Sequence, residues 1–135
     1  MNREEHQMQT AFMNWVSLVM KHERKDLRLM FAIPNGGARD ARTGAMLKME
    51  GVRKGVPDLC LPVRRGEYLG LWIEMKAPGR KPTPEQYEWH DWLTLAGHVV
   101  AVCYSRDDAQ RVTEAYLDSK IDQLEFNNQS NAEAL

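Results

Sequence analysis

GVPDLCLPVRRGEYLGLWIEMKAPGRKPTPEQ, residues 55–86, is the stretch that decides the fold. It holds two apolar runs of strand length, 56–63 and 68–77, separated only by Arg64-Arg65-Gly66-Glu67. So short a link joins antiparallel neighbours, because a parallel return needs a crossover of a dozen residues or more. Pro78-Gly79-Arg80-Lys81-Pro82 then breaks the pattern, and a well-marked helix start follows. Thr83 is a natural N-cap, Pro84 suits a first helical position where no N–H is needed, and Gln86 completes a capping box. The stretch therefore reads as a hairpin delivered directly into a helix.

Before it, residues 4–21 carry Met8, Ala11, Phe12, Trp15, Val16 and Val19 at three- and four-residue steps, the mark of an amphipathic helix. Glu5 and Gln9 flank one edge of that face. Residues 27–33 (LRLMFAI) are predicted as a strand, closed by the turn Pro34-Asn35-Gly36-Gly37, and a short helix is expected around 45–49. After it, Trp89, Trp92, Leu93 and Ala96 form the expected buried stripe of the helix that Gly97 ends. Residues 98–104 (HVVAVCY) are a third core strand, and Ser105 caps a last helix to about Leu117. Residues 119–135 are polar and rich in Asn and Gln, and are expected to fray. Helix, strand, hairpin, helix, strand, helix is the order of an α/β sandwich around a mixed sheet.

The composition, 43% apolar and 27% charged over 135 residues, is that of one globular domain able to build its own core. No apolar run approaches the length that crosses a bilayer. The opening MNREEHQMQT is polar and acidic, which predicts neither a signal nor a transit peptide. Cys60 and Cys103 lie inside apolar stretches and read as small hydrophobes, which points to a reducing, intracellular compartment, expected to be the cytoplasm. The four histidines lack ligand spacing, so zinc has no support, and His90 and His98 read as structural or surface residues. The net charge of −1 argues at first against nucleic acid. Its distribution reverses that: residues 39–81 hold ten Lys or Arg against five Asp or Glu, and the remainder eight against fourteen.

The chemistry concentrates where the hairpin does. Alternation along a strand puts Glu74 and Lys76 on one face, and Asp58 begins the neighbouring strand. If the register sets Asp58 opposite Glu74, two carboxylates and an ammonium meet at one edge of the sheet. Paired carboxylates repel unless a cation lies between them, and hard oxygen ligands suit Mg²⁺ or Mn²⁺. Lys76 beside such a metal can orient or deprotonate a water and offset charge on phosphorus. Glu-x-Lys alone is weak, since it arises by chance in roughly one chain in two of this length, and a cross-strand ion pair is the competing reading. The position of the pair inside GLWIEMKA, behind Leu71, Trp72 and Ile73, favours the site.

Asp58 followed by Glu74-x-Lys76 in this setting resembles the PD-(D/E)XK nuclease superfamily. The wider pattern of Glu5, Gln9, Ile33-Pro34-Asn35-Gly36-Gly37, Arg39, Lys48, Gly51, Gly55-Val56-Pro57-Asp58, Glu74-Met75-Lys76, Gly79, Gln86, Trp89, Leu93 and Gly97 resembles the VRR-NUC (virus-type replication–repair nuclease) family. The likeness runs from about residue 4 to 117 and is nearest the stand-alone phage or prophage type.

The resemblance implies a restriction-endonuclease-like fold, with residues 1–118 as the nuclease domain and 119–135 as a tail. It implies that Asp58, Glu74 and the backbone carbonyl of Met75 bind Mg²⁺ or Mn²⁺. Lys76 is then the catalytic lysine, Gln86 approaches from the following helix, and Glu5 reaches in as a further metal or water ligand. Without the resemblance, Glu5 is a solvated first-turn acid and Gln86 only a helix cap. Asn35, Gly36, Gly37, Arg39 and Arg42 form either a turn with a basic loop or a set of phosphate contacts, and the family pattern favours contacts. Lys48, Arg53, Lys54, Arg80 and Lys81 are further candidates for the DNA backbone. The expected activity is endonucleolytic cleavage of branched DNA, of the Holliday-junction resolvase kind, by a homodimer whose symmetry matches two strands. A flap or single-strand nuclease, a DNA-binding module without turnover, and an interaction protein are the alternatives. For a phage or prophage protein the compartment is the bacterial host cytoplasm.

Overall fold

The structure, a computed structural model, describes residues 1–34 and 40–124. Asn2 starts the first helix with a capping box: its Oδ1 accepts the Glu5 N–H at 2.8 Å, and the Glu5 carboxylate accepts the Asn2 N–H at 3.2 Å. The helix, α1 (Arg3–Val19), buries Phe12 and Val16, while Met8, Trp15 and Val19 pack at the edge of the core. Ala11, expected inside, is exposed.

The run 27–33 is not one strand. It divides into a 3-10 turn, Lys25–Leu29, and a two-residue strand β1 (Phe31–Ala32). Leu27 and Met30 are the buried residues, three apart, which is the spacing of a 3-10 turn and not of a strand. Asp40 caps α2 (Ala41–Met49) by accepting the Thr43 N–H at 2.7 Å, so this helix begins four residues before the expected 45–49. It buries none of its residues.

The hairpin forms as antiparallel β2 (Leu59–Leu61) and β3 (Leu71–Met75). Both strands are shorter than the apolar runs, and Pro62, with no N–H for the ladder, ends β2 after Leu61. The longer link is closed by an isolated bridge between Arg65 and Tyr68. Thr83 and Gln86 make the expected capping box of α3 (Pro84–Leu95). This helix is the crossover that lets β4 (Val99–Cys103) lie parallel to β3. The sheet order is β1-β2-β3-β4. Ser105 caps α4 (Arg106–Leu117), which packs beside α1.

Alternation divides the sheet. Leu59, Leu61, Leu71, Ile73, Met75, Val99, Ala101 and Cys103 join Phe12, Val16, Val112 and Tyr116 in one core with α1 and α4. The opposite face carries Glu74 toward α3. There the expected stripe is corrected: Trp92 and Ala96 are exposed, Trp89 and Leu93 half-buried, and the buried residue of α3 is His90. The first part of the expected tail also packs. A 3-10 turn at Ile121–Gln123 buries Ile121, and Leu124 lies against the core. Among the described residues no helix is long and apolar enough to cross a membrane.

Gly55 brings the loop before β2 against α3. Its φ is +98°, and a Cβ there would lie 2.6 Å from the Glu85 carbonyl oxygen and 3.0 Å from Trp89 Cδ1. Gly55→Ala combines a left-handed backbone with a backbone clash, so a loss of about 2–4 kcal/mol in urea unfolding is expected. A loss below about 0.5 kcal/mol, the range of neutral surface changes, would mean this approach is not needed.

Candidate active site

Asp58 is the residue before β2. The register pairs Leu59 with Ile73, and continuing it by one residue sets Asp58 opposite Glu74. Asp58 is fixed on both sides: its carbonyl accepts the Ile33 N–H at 2.8 Å, and its Oδ2 accepts the Met75 N–H at 2.8 Å. Thus a side chain replaces the ladder bond where the strand gives out.

Glu74 is 1% exposed. Its Oε2 accepts from Gln86 Nε2 at 3.2 Å, and its Oε1 lies 3.3 Å from His90 Nε2. The Gln86 amide is oriented by the capping box, since its Oε1 accepts the Thr83 N–H at 2.8 Å and the NH₂ is left for Glu74. Lys76 is 4% exposed, and its N–H donates to the Cys103 carbonyl at 2.9 Å, tying it to β4. Its ammonium has no ion pair or hydrogen bond among the described residues.

Asp58, Glu74, Lys76 and Gln86 line one cleft of about 240 Å³ with Glu5, and Lys54 and Arg80 join them there, while His90 lies buried behind Glu74. A slightly larger hollow of about 280 Å³ is bounded by Arg65, Tyr68, Tyr116 and Asp122. There Tyr68 is bonded to Asp122 and Arg65 to Asp26, whereas the two facing carboxyls and Lys76 belong to the smaller cleft.

Burial, reinforced by the charge of Glu74 and a carboxyl-to-carboxyl hydrogen bond, pushes Asp58 up to about 8. Burial raises Glu74 to about 7, against the opposing pull of that hydrogen bond and of Lys76. The metal-free pair thus holds a proton between two carboxyls. Burial lowers His90 to about 4, so its imidazole is neutral at pH 7.

The donors suit a hard divalent cation. Two facing carboxylates supply oxygens, and the Met75 carbonyl turns to the same side of the strand as its N–H, toward Asp58. Among the described residues no group of three or more His, Cys, Asp or Glu forms a cage. Mg²⁺ keeps several waters and is commonly held by one or two carboxylates.

Glu5 is 2% exposed and does reach the cleft. Its Oε2 accepts the Ala77 N–H at 2.9 Å and lies 3.5 Å from Arg80 Nη1. In this arrangement Glu5 braces the backbone just beyond Lys76. Of the basic residues read as DNA contacts, Lys54 and Arg80 line the cleft, paired with Glu85 and Glu5. Arg42, Lys48, Arg53 and Lys81 are exposed away from the cleft lining. Asn35, Gly36, Gly37 and Arg39 lie outside the described residues. The residue that sequence reasoning missed is His90. Its signal was present: it stands four positions after Gln86, hence on the same helix face.

The VRR-NUC domain family matches residues 1–107. A solved structure described as a VRR_NUC domain protein superposes with a TM-score of 0.72 at 30% identity, over 84% of this chain and 88% of its own. The mixed sheet flanked by helices is therefore the restriction-endonuclease-like fold. "Putative nuclease p44" of Acyrthosiphon pisum secondary endosymbiont phage 1 is 44% identical over 55 residues, 41% of this chain. The match spans 57% of that protein's length.

Proposed function

The chain belongs to the VRR-NUC nuclease family, and on that premise we propose that it is a divalent-metal-dependent endonuclease of branched DNA, with Asp58, Glu74 and Lys76 as its catalytic centre. The observation that carries the reading is one open cleft in which two buried carboxyls face each other beside an ammonium with no partner of its own among the described residues. A structural ion pair would match one acid to one base. Here two acids meet in a desolvated place, an arrangement that favours a bound cation.

Mg²⁺ or Mn²⁺ held by Asp58, Glu74 and the Met75 carbonyl would supply Lewis-acid polarisation of the phosphate and an acidified water. The chain's own groups do the rest. Lys76 orients the attacking water and offsets the negative charge that grows on the phosphoryl oxygens. Gln86 holds Glu74 in place, and Glu5 holds Ala77 and so the end of the catalytic strand. Lys54 and Arg80 exchange Glu85 and Glu5 for backbone phosphates, with Arg42, Lys48, Arg53 and Lys81 as outer contacts. Such contacts position the DNA without reading its sequence. One cleft cuts one strand, so symmetric cleavage of a four-way junction calls for a two-fold dimer.

Labelled four-way junction, flap, linear duplex and single-stranded DNA, each incubated with Mg²⁺ or Mn²⁺, test the reading. Paired symmetric nicks in the junction are the expected result. Cutting of flaps or linear DNA alone would retain the nuclease and remove the junction preference. Binding with no cutting under either metal would leave a DNA-binding module.

A further inference from the structure

We infer that His90 is a positioning residue for the reaction, acting with Gln86 to hold the Glu74 carboxylate at a single orientation. The inference rests on the metal-dependent reading of the same cleft.

His90 is fully buried and is the one buried residue of α3, at a place where a core helix would ordinarily put leucine or valine. A buried imidazole loses its hydration and must recover it from the protein. Here it recovers it from Glu74: Nε2 faces Oε1 at 3.3 Å while Gln86 Nε2 faces Oε2 at 3.2 Å. The two donors stand one helical turn apart, so they approach the two oxygens of one carboxylate from a single rigid element. That element is secured at both ends. The Thr83–Gln86 box fixes its start, and the Thr94 hydroxyl donates to the His90 carbonyl at 2.7 Å. The Tyr87 ring packs edge-on to the imidazole with centroids 6.2 Å apart.

The tautomer follows from the partners. Nδ1 is buried with no hydrogen-bond partner among the described residues. A proton there would leave an N–H unsatisfied and set two lone pairs against each other at Nε2 and Oε1. The proton therefore sits on Nε2, and the bond to Glu74 is a true donation. A carboxylate gripped on both oxygens cannot rotate, yet it keeps lone pairs for a cation. Partners of this kind behind a ligand typically contribute about 10- to 100-fold in metal affinity or activity.

His90→Leu fills the volume without the donor, and His90→Gln restores an N–H at the reach of Nε2. We expect His90→Leu to weaken Mn²⁺ binding to the DNA-free protein, measured by calorimetry, by about tenfold or more. Its kcat should fall with KM for DNA unchanged, and His90→Gln should recover most of both. Independently, ¹⁵N spectra of wild type without metal should show His90 protonated on Nε2 and bare on Nδ1, a readout that stands even if His90→Leu fails to fold. Wild-type Mn²⁺ affinity and kcat in folded His90→Leu, or a proton on Nδ1, would overturn the inference. If wild type itself bound no Mn²⁺ and cut no DNA, the metal-dependent reading would fall, and His90 with it. The wild-type measurements separate the two failures.

Discussion

Lys76→Ala is expected to slow DNA cleavage about a thousandfold, the scale of losing one preorganised charge stabiliser in a water-poor site, while DNA affinity stays within about threefold of wild type. Its ammonium sits on the same strand face as Glu74, nearly buried and with no partner among the described residues. In the free protein it acts on Glu74 and Asp58 only through its field, and on the proposed mechanism its larger contribution comes against a phosphate. Phosphate contacts from Lys54, Arg80 and the outer basic residues remain in the variant, so binding persists. Single-turnover cleavage and fluorescence anisotropy at one fixed salt concentration measure the two quantities. Equal loss of binding and rate would make Lys76 an ordinary backbone contact.

Asp58→Asn is expected to abolish cleavage to a similar degree and yet to stabilise the metal-free protein above neutral pH. Asp58 is raised from an ordinary carboxylate value to about 8, and Glu74 to about 7. A group whose folded pKa is raised binds more protons folded than unfolded, so it stabilises fully below the unfolded pKa near 4. That contribution is lost as pH climbs toward the folded pKa. His90, lowered to about 4, pulls the other way, but only below its unfolded pKa of about 6.5. Between about pH 6.5 and 8, wild type in EDTA should therefore lose stability, on the order of 2 kcal/mol for the pair. Asn can still accept the Met75 N–H with its amide oxygen, and it carries no charge to bury. Its unfolding midpoint should fall less steeply across that window and lie above wild type at pH 8, with the two proteins alike at pH 4. A variant less stable than wild type at both pH values would mean that Asp58 serves the fold and not a strained carboxylate pair.

Both expectations grow from the part of the chain that was most legible. The hairpin, the capping box at Thr83 and the meeting of Asp58 with Glu74 follow from short-range signals: turn residues, alternation and a helix cap. Where burial and local period disagreed, reading failed. Residues 27–33 look like a strand because all of them but Arg28 are apolar, but Leu27 and Met30 enter the core from a 3-10 turn. The face of α3 was misread for a different reason. Trp89 and Trp92 are the strongest apolar signals in that helix, yet a polar residue, His90, occupies its interior because Glu74 lies opposite. Functional sites are where hydrophobic pattern and fold part company. Glu5 could be named from its helix, but its bond to Ala77 spans 72 residues, a contact no local signal encodes.

The central claim is tested most directly by diffraction from crystals grown with Mn²⁺ at about pH 8, where Glu74, raised to about 7, is mostly ionised and Asp58, raised to about 8, is half ionised, with data collected at a wavelength giving manganese anomalous scattering. One strong anomalous peak in the cleft is expected, bonded to carboxylate oxygens of Asp58 and Glu74 and to the Met75 carbonyl, and lost in Asp58→Asn. An empty cleft at saturating Mn²⁺, or a peak held by other residues, would contradict it.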